Sequence, residues 1–597
     1  MCGIAALFAY HADAPPVALG ELLDINKAMI RRGPDGGGHW IADDSRIGLA
    51  HRRLAIIDPD PRANQPMILD DRFHITFNGE IYNYRALRGQ LIDAGVRFTT
   101  QSDTEVLVRL YERDGAAMVE KLRGMFALII WDSRERRVFL ARDPFGIKPL
   151  YMADDGRTFR AASQVKALLA TGKAGNRGPD PAGHAGFFLF GSIPEPHTLY
   201  ADIEALPAGH TLTIDADGRR HLQCYFNVRE VLAGSRDGAV DQPDLRTLLL
   251  DSVRHHFVAD VPVGVFLSAG LDSATITALA AESQQRDIRT FTLGFEEFVG
   301  TIRDEVPLAE LMAKRYETSQ STERVARLHF DGALPDLLKS MDQPSIDGVN
   351  TYFVARVASH GGLKVALSGL GGDELFGGYD SFRQVPGLAG ALGWIPGLSA
   401  FGRGFRKVTA PLLGDMLPPK FAGLFEFGGS TGGAYFLRRG LFMPWELPHL
   451  MDPELAAEGW NKLAVLDRLK AETEGIDQPE NRVRALETCW YMRNQLLRDA
   501  DWAGMAHSVE IRVPFVDMDL FKALAPVLGS AAGPGKRDMA ATPLPALPPD
   551  VLNRPKTGFF VPVERWLQQA GGGLNDNREP GLRGWAKRVY AAQAGAV

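Results

Sequence analysis

Apolar and polar positions along the chain fall into two different rhythms. Up to about residue 226, short β-rich runs alternate with turns. Gly48 to Ile57 and Phe73 to Phe77 read as strands, and Met125 to Trp131 faces Arg137 to Ala141 across Asp132-Ser133-Arg134-Glu135 as a hairpin. Helical spacing interrupts these runs: Ser102 and Glu105 stand as a capping box, and Val106, Leu107, Leu110 and Tyr111 follow on one face. His210 to Ile214 and His221 to Phe226 predict a last hairpin. Strands and helices mixed in this way predict an antiparallel α+β domain.

The rhythm changes beyond the polar stretch Gly234 to Pro243. Val263-Gly264-Val265-Phe266-Leu267 is a buried-strand run that ends in a Ser/Gly turn, with a helix predicted from Ala274 to Ala281. Arg289 to Phe295 and Lys364 to Leu367 predict two more such strands among helical segments. Strand alternating with helix predicts a parallel α/β sheet. The uncharged run Pro386 to Gly402 contains Pro386 and Pro396, so it predicts a helix-loop insertion rather than a membrane span. The expected division is 2–210 for the first domain, 211–243 for a connecting segment, 244–570 for the second domain and 571–597 for a tail.

Composition adds exclusions. With 597 residues, 45% hydrophobic and 23% charged, the chain has the makeup of two large folded domains. Its formal charge of −7 gives no basic surplus for a nucleic-acid partner. Cys2, Cys224 and Cys489 form neither a disulfide framework nor a C-x-x-C zinc pair, which fits a reducing compartment. No basic segment precedes an apolar run at the N-terminus, so a cytoplasmic location is expected.

Cys2 is the first chemical signal. Removal of the initiator Met would leave an α-amine beside a thiol, and such an amine titrates near neutrality, so it can accept the thiol proton. A thiolate attacking an amide needs an oxyanion site, which the Asn78 side chain and the Gly79 N–H at a strand-end turn can supply. An amino-acid substrate also needs a cation for its carboxylate, such as Arg53, and an anion for its ammonium, such as Asp103.

The second signal is Ser268-Ala269-Gly270-Leu271-Asp272-Ser273, between the buried strand and its helix. Backbone N–H groups, the hydroxyls of Ser268 and Ser273 and a helix N-terminus converge there, a site for pyrophosphate. Asp272 beside phosphate predicts a bridging Mg²⁺. Ser368-Gly369-Leu370-Gly371-Gly372-Asp373 follows another strand, with glycines for close approach and Asp373 as a second metal ligand. Both loops follow parallel strands, where α/β sheets bind ligands. No complete Walker-type motif occurs. Lys556, in Arg554-Pro555-Lys556-Thr557-Gly558-Phe559, suits charge stabilisation on a leaving pyrophosphate.

Cys2-Gly3-Ile4-Ala5, Arg32-Gly33-Pro34-Asp35-Gly36, Arg53 to Asp58, Asn78-Gly79-Glu80-Ile81-Tyr82-Asn83 and Arg142 to Tyr151 together resemble class II glutamine amidotransferase domains. That resemblance implies an N-terminal-nucleophile (Ntn-hydrolase) αββα sandwich in which Cys2 attacks the glutamine side-chain amide. It also implies glutamine binding by Arg53, Leu54, Ile57, Asn78, Gly79, Glu80 and Asp103. The second half, with Arg498 to Asp517 added, resembles the synthetase domain of glutamine-hydrolysing asparagine synthetases, of the pyrophosphatase-loop (PP-loop) ATP family. This implies a parallel-sheet α/β nucleotide domain with many helices. It implies ATP contacts at Leu267, Leu293, Ser368 and Gly369 beside Ser268, Gly270, Asp272 and Ser273, metal–pyrophosphate ligation by Asp272 and Asp373, and Lys556 as catalytic lysine. Aspartate is then adenylated, ammonia displaces AMP, and an enclosed path joins the sites because protonated ammonia cannot attack. A homodimer is implied as well.

Two residues depart from the family pattern. Ala269 replaces a glycine, which requires negative φ there. Leu370 replaces the glutamate of well-known asparagine synthetases, leaving open an amidotransferase of the same mechanism acting on another carboxylate, such as a sugar acid or specialised metabolite. Asp342, Asp347 and Asn350 are expected to line the acceptor pocket.

Overall fold

The computed structural model describes residues 2–234, 243–283, 287–413, 418–530, 533–555, 562, 566 and 581–594, with side chains not considered for 410–413. Strands β1 (Gly3–Ala9), β2 (Gly36–Ile41), β3 (Ile47–Arg53), β4 (Met67–Leu69), β5 (Phe73–Ile81), β6 (Gly124–Asp132), β7 (Arg137–Arg142), β8 (Tyr151–Asp154), β9 (Thr158–Ala162), β10 (Ile203–Ala205), β11 (His210–Ile214) and β12 (Arg220–Cys224) build the first half. They form two antiparallel sheets, in the orders β10-β8-β9-β1-β3-β2 and β12-β11-β7-β6-β5-β4.

Period-two alternation explains how the sheets stack. Ile4, Ala6 and Phe8 of β1 pack with Ala127, Ile129 and Trp131 of β6 in the layer between the sheets. Ala5 and Leu7 face outward with Leu22 and Ile25 of the helix Leu19–Ala28. Phe126, Leu128 and Ile130 face outward on the other side, against Val106, Leu107 and Leu110 of the helix Asp103–Asp114. The result is the expected helix, sheet, sheet, helix sandwich, with inner strands such as β1 and β6 buried on both faces and the edge strand β12 exposed. The predicted hairpin pairs Trp131 with Val138 and Ala127 with Arg142. Strand β11 pairs with β7, so the sheet continues past residue 210 to Cys224.

Helix capping differs in detail from the expected box. Ser102 Oγ accepts from Thr104 N at 3.1 Å, but Glu105 reaches back past Ser102 and accepts from Thr99 N at 2.9 Å and from Thr100 N at 2.6 Å. The carboxylate thereby satisfies the turn before the helix rather than the cap residue itself.

The second half is a five-stranded parallel sheet of β13 (Val263–Phe266), β14 (Arg289–Phe295), β15 (Ser319–Val325), β16 (Val365–Leu367) and β17 (Glu510–Arg512), in the order β15-β14-β13-β16-β17. The strand order reverses between β13 and β16, the place where open α/β sheets bind ligands. Pro386 lies inside the helix Ser381–Leu392, and a second helix runs from Leu398 to Leu413. Among the described residues, no helix is long and apolar enough to cross a membrane. The expected tail includes a helix, Leu582–Ala594, that buries Trp585 and Val589.

The two halves are welded together. A single apolar cluster contains Ala5 and Phe187 of the first half with Leu267 and Trp502 of the second. Arg32 meets Asp501 with two hydrogen bonds, 2.6 and 3.0 Å, and both side chains are buried. Removing one member of such a buried pair typically costs about 3–5 kcal/mol. Asp342 is part of this weld. Its carboxylate accepts from Val165 N at 2.9 Å and Lys166 N at 3.1 Å, at the start of the helix Val165–Leu169. The expectation that Asp342 lines an acceptor pocket is therefore corrected: it satisfies helix N–H donors of the other domain.

Candidate active site

Cys2 stands just before β1, at one end of the first sandwich. Its backbone nitrogen donates to Asn78 Oδ1 at 2.9 Å, while Asn78 Nδ2 is buried with no hydrogen-bond partner. A buried, unpaired amide N–H2 beside a thiol is the donor that an oxyanion would need. Gly79 follows with φ of +156°, and any Cβ there would overlap the Met125 carbonyl on β6, so the strand end admits only glycine. Burial pushes the Cys2 thiol up, and a bond from the Leu54 N–H offsets part of that.

Of the remaining residues expected at this site, Leu54 and Glu80 act directly on the Cys2 thiol, and Asp103 acts on Glu80. Asp103 opens its helix and accepts from Ile81 N at 3.2 Å, and burial pushes its carboxyl up to about 6. Leu54, Ile57 and Glu80 are buried. Arg53 is different. Its terminal nitrogens bond to the carbonyls of Asp60 (3.1 Å), Ile57 (3.4 Å) and Asp58 and to Asn64 Oδ1 at 2.7 Å. Any contribution of this cation to ligand binding is thus exerted along with the Ile57–Asn64 loop that it shapes. Arg32, for which the sequence offered no role, donates through Nε to the Cys2 carbonyl at 3.0 Å.

At the reversal point of the parallel sheet lies a cavity of about 280 Å³. Leu267, Ser268, Gly270, Asp272, Ser273, Leu293, Ser368 and Gly369 all line it, which brings together every expected nucleotide-contact residue. Ser273 Oγ bonds to Ser268 N at 3.1 Å and Ser268 Oγ at 2.9 Å, fixing the turn ahead of the helix Leu271–Glu282. Ala269 is not among the residues with positive φ, so its Cβ is tolerated. Gly369 is required by proximity, because a Cβ there would press to 2.7 Å from Asp272 Cβ.

Asp272 and Asp373 converge on one cation, the Lys536 ammonium. Lys536 Nζ bonds to Asp272 Oδ1 and lies 2.9 Å from Asp373 Oδ1. Desolvation opposes the charge on Lys536, but the two carboxylates win and hold its pKa above the ordinary value. Two carboxylates that share a cation, beside a phosphate-sized turn, fit Mg²⁺, which takes one or two carboxylates plus phosphate oxygens. Lys536 was not legible as a site residue, because its only sequence signal was an incomplete Gly535-Lys536 dipeptide. Lys556 lies outside the described residues.

The far wall of the cavity adds Asp347, Asn350, Leu370, Leu496 and Asp499. Asp499 accepts from Ser345 Oγ at 2.7 Å and from Trp502 Nε1 at 2.6 Å. Burial and the neighbouring Asp347 carboxyl push Asp499 up to about 8. Leu496 comes from an 11-residue π-helical stretch, Glu487–Leu497, a rare geometry that occurs frequently at functional sites. Leu370 offers this wall an apolar side chain and no proton acceptor.

Comparison with known proteins follows the same division. A family model described as a glutamine amidotransferase domain matches residues 1–226, and one described as asparagine synthase matches residues 244–588. Asparagine synthetase [glutamine-hydrolyzing] 1 of Bacillus subtilis (strain 168) is 32% identical, over 95% of this chain and 88% of its own. A putative asparagine synthetase [glutamine-hydrolyzing] of Mycobacterium tuberculosis (strain ATCC 25618 / H37Rv) is 34% identical, again over 95% and 88%. A solved glutamine phosphoribosylpyrophosphate amidotransferase from B. subtilis, complexed with ADP and GMP, aligns with a TM-score of 0.29 and 17% identity, over 54% of this chain and 65% of that one.

Proposed function

This chain belongs to the glutamine-hydrolysing asparagine synthetase family, and we propose that it makes asparagine from aspartate, with glutamine as nitrogen donor and ATP as activating substrate. In this reading it is an ATP-dependent carbon–nitrogen ligase. The observation that carries the proposal is the meeting of the Ser268–Ser273 and Ser368–Gly369 loops in one cavity, with Asp272 and Asp373 sharing a cation at its edge.

The chemistry follows from the two sites. Cys2 sulfur attacks the glutamine amide carbon, its proton passing to the Cys2 α-amine once Met1 is removed. Asn78 Nδ2 and the Gly79 N–H receive the oxyanion, ammonia leaves, and water releases glutamate from the thioester. In the second cavity the aspartate β-carboxylate attacks the α-phosphorus and pyrophosphate departs from the Ser268–Ser273 turn. Ammonia then adds to the acyl carbon and AMP leaves. Mg²⁺ held by Asp272 and Asp373 would neutralise pyrophosphate charge. Lys536 already places a positive charge there, and Lys556 is assigned the same task on the leaving group. Adenylation needs no group at position 370, so Leu370 is compatible with it, and the proton of the attacking ammonia must go elsewhere in the cavity.

The test is pyrophosphate release from purified enzyme with Mg-ATP and glutamine, with and without aspartate, while mass spectrometry follows asparagine. Aspartate-dependent pyrophosphate matched by asparagine is expected. Glutamine hydrolysis without any response to aspartate, joined to a response to a sugar acid or another carboxylate, would contradict the acceptor.

A further inference from the structure

The three residues of β17 separate one site from the other, and their side chains alternate. Ile511 lines the nucleotide cavity, whereas Glu510 and Arg512 turn to the opposite face, toward Glu80. Arg512 is wholly buried, at 0% exposure. Its Nε donates to Glu510 Oε1 at 2.7 Å, and Nη1 donates to the carbonyls of His256 at 2.8 Å and Val258 at 2.7 Å. The remaining nitrogen, Nη2, stands 3.4 Å from Glu80 Oε2 across the domain boundary. Neither of those two atoms has a hydrogen bond, although both are buried. Native proteins leave few buried polar atoms unpaired, because each one costs desolvation free energy. Here the two face each other as an ion pair, and Glu80 Oε2, an acceptor, keeps lone pairs that a substrate ammonium could donate to, while Arg512 Nη2 holds the carboxylate from the other side.

The main chain of the same residue points the other way. The Arg512 carbonyl accepts from Ser368 N at 2.8 Å, and Arg512 is the register partner of Leu367 in β16. Ser368 and Gly369 line the nucleotide cavity. One residue is therefore ion-paired by its side chain with Glu80 of the first domain and hydrogen-bonded by its backbone to the nucleotide loop.

We propose that Arg512, supplied by the second domain, is a positioning residue for the glutamine site: it orients Glu80, and its carbonyl bond to Ser368 makes that orientation respond to the nucleotide loop. This inference rests on the reading of the first domain as a glutaminase. Lysine cannot replace the arginine, because a single ammonium does not span Glu510, two carbonyls and Glu80 as the planar guanidinium does.

The experiment measures glutaminase kcat and KM on the full-length enzyme, with and without Mg-ATP plus aspartate, for wild type, Arg512→Lys and Glu80→Gln. Ammonia-dependent pyrophosphate release reports the integrity of the second site, and Cys2→Ala supplies the glutaminase background. Arg512→Lys is expected to raise the glutamine KM roughly tenfold while kcat changes less than about threefold, the pattern of lost ground-state binding. The wild-type response of glutamine KM to Mg-ATP and aspartate should vanish in the variant, with ammonia-dependent release retained. If Arg512→Lys does not fold, loss of the same response in Glu80→Gln supports the proposal, and its retention overturns it. An Arg512→Lys enzyme with unchanged KM and unchanged response also overturns it. Wild-type enzyme that hydrolyses no glutamine would instead overturn the glutaminase reading, a separate result.

Discussion

Asp103, a residue proposed for the glutamine site, gives that proposal a measurable consequence. Burial raises its carboxyl to about 6, against the bonds from Ile81 N and Thr104 N that favour the ionised form. If the ionised form holds the glutamine ammonium, kcat/KM for glutamine should rise as pH climbs through about 6 and then level, and Asp103→Asn should lose that rise. Stability runs the other way. Between the ordinary carboxylate value and about 6 the folded state keeps a proton that the unfolded chain has released, so stability falls as pH climbs through that window. A wild-type pH profile for glutamine that is flat from pH 5 to 7 would contradict the assignment. The placement of Asn78, Asp103, Asp272 and Asp373 at the two candidate sites was legible in the sequence, because each sits in a short run whose neighbours prescribe its geometry. Lys536, Asp499 and Arg512 were not, since each acts through a contact made over a hundred residues away in the chain. Asp342 misled for the same reason: it lies in the run that leads to Asp347 but turns back to cap a helix of the other domain.

Among the elements, the loops were easier to read than some of the strands they follow. β13, β14 and β16 announce themselves as apolar runs, and the glycines after them mark close approach. β15 is largely polar because it is an exposed edge, and β17, though buried, turns the charged pair Glu510 and Arg512 toward the domain boundary, so neither reads as an apolar strand. The Gly-rich loop yields a test at this scale. A methyl group on Gly378 would overlap Asp373 Oδ1 and come to 2.5 Å from Lys536 Cε. Gly378→Ala should therefore displace Asp373, lower pyrophosphate release by roughly a hundredfold through lost charge stabilisation, and leave basal glutamine hydrolysis intact. Release at the wild-type rate would show that the Asp373–Lys536 contact is dispensable.

In the whole molecule, two sites with different chemistry share one wall. The continuous apolar core, the buried Arg32–Asp501 pair and the Asp342 cap resist separation of the domains. The division into an antiparallel and a parallel half was evident from apolar rhythm alone. The depth of the join was not, because residues such as Arg32 and Asp501 look like ordinary surface charges until the fold brings them together. A join of this kind matters because ammonia released to water at neutral pH is mostly protonated and inert. The most direct test supplies amide-¹⁵N glutamine, Mg-ATP and aspartate in the presence of excess unlabelled ammonium, and reads the ¹⁵N content of the asparagine by mass spectrometry. Asparagine that keeps the glutamine label is the result expected of two sites acting as one; asparagine whose label falls to that of the bulk ammonium would contradict it.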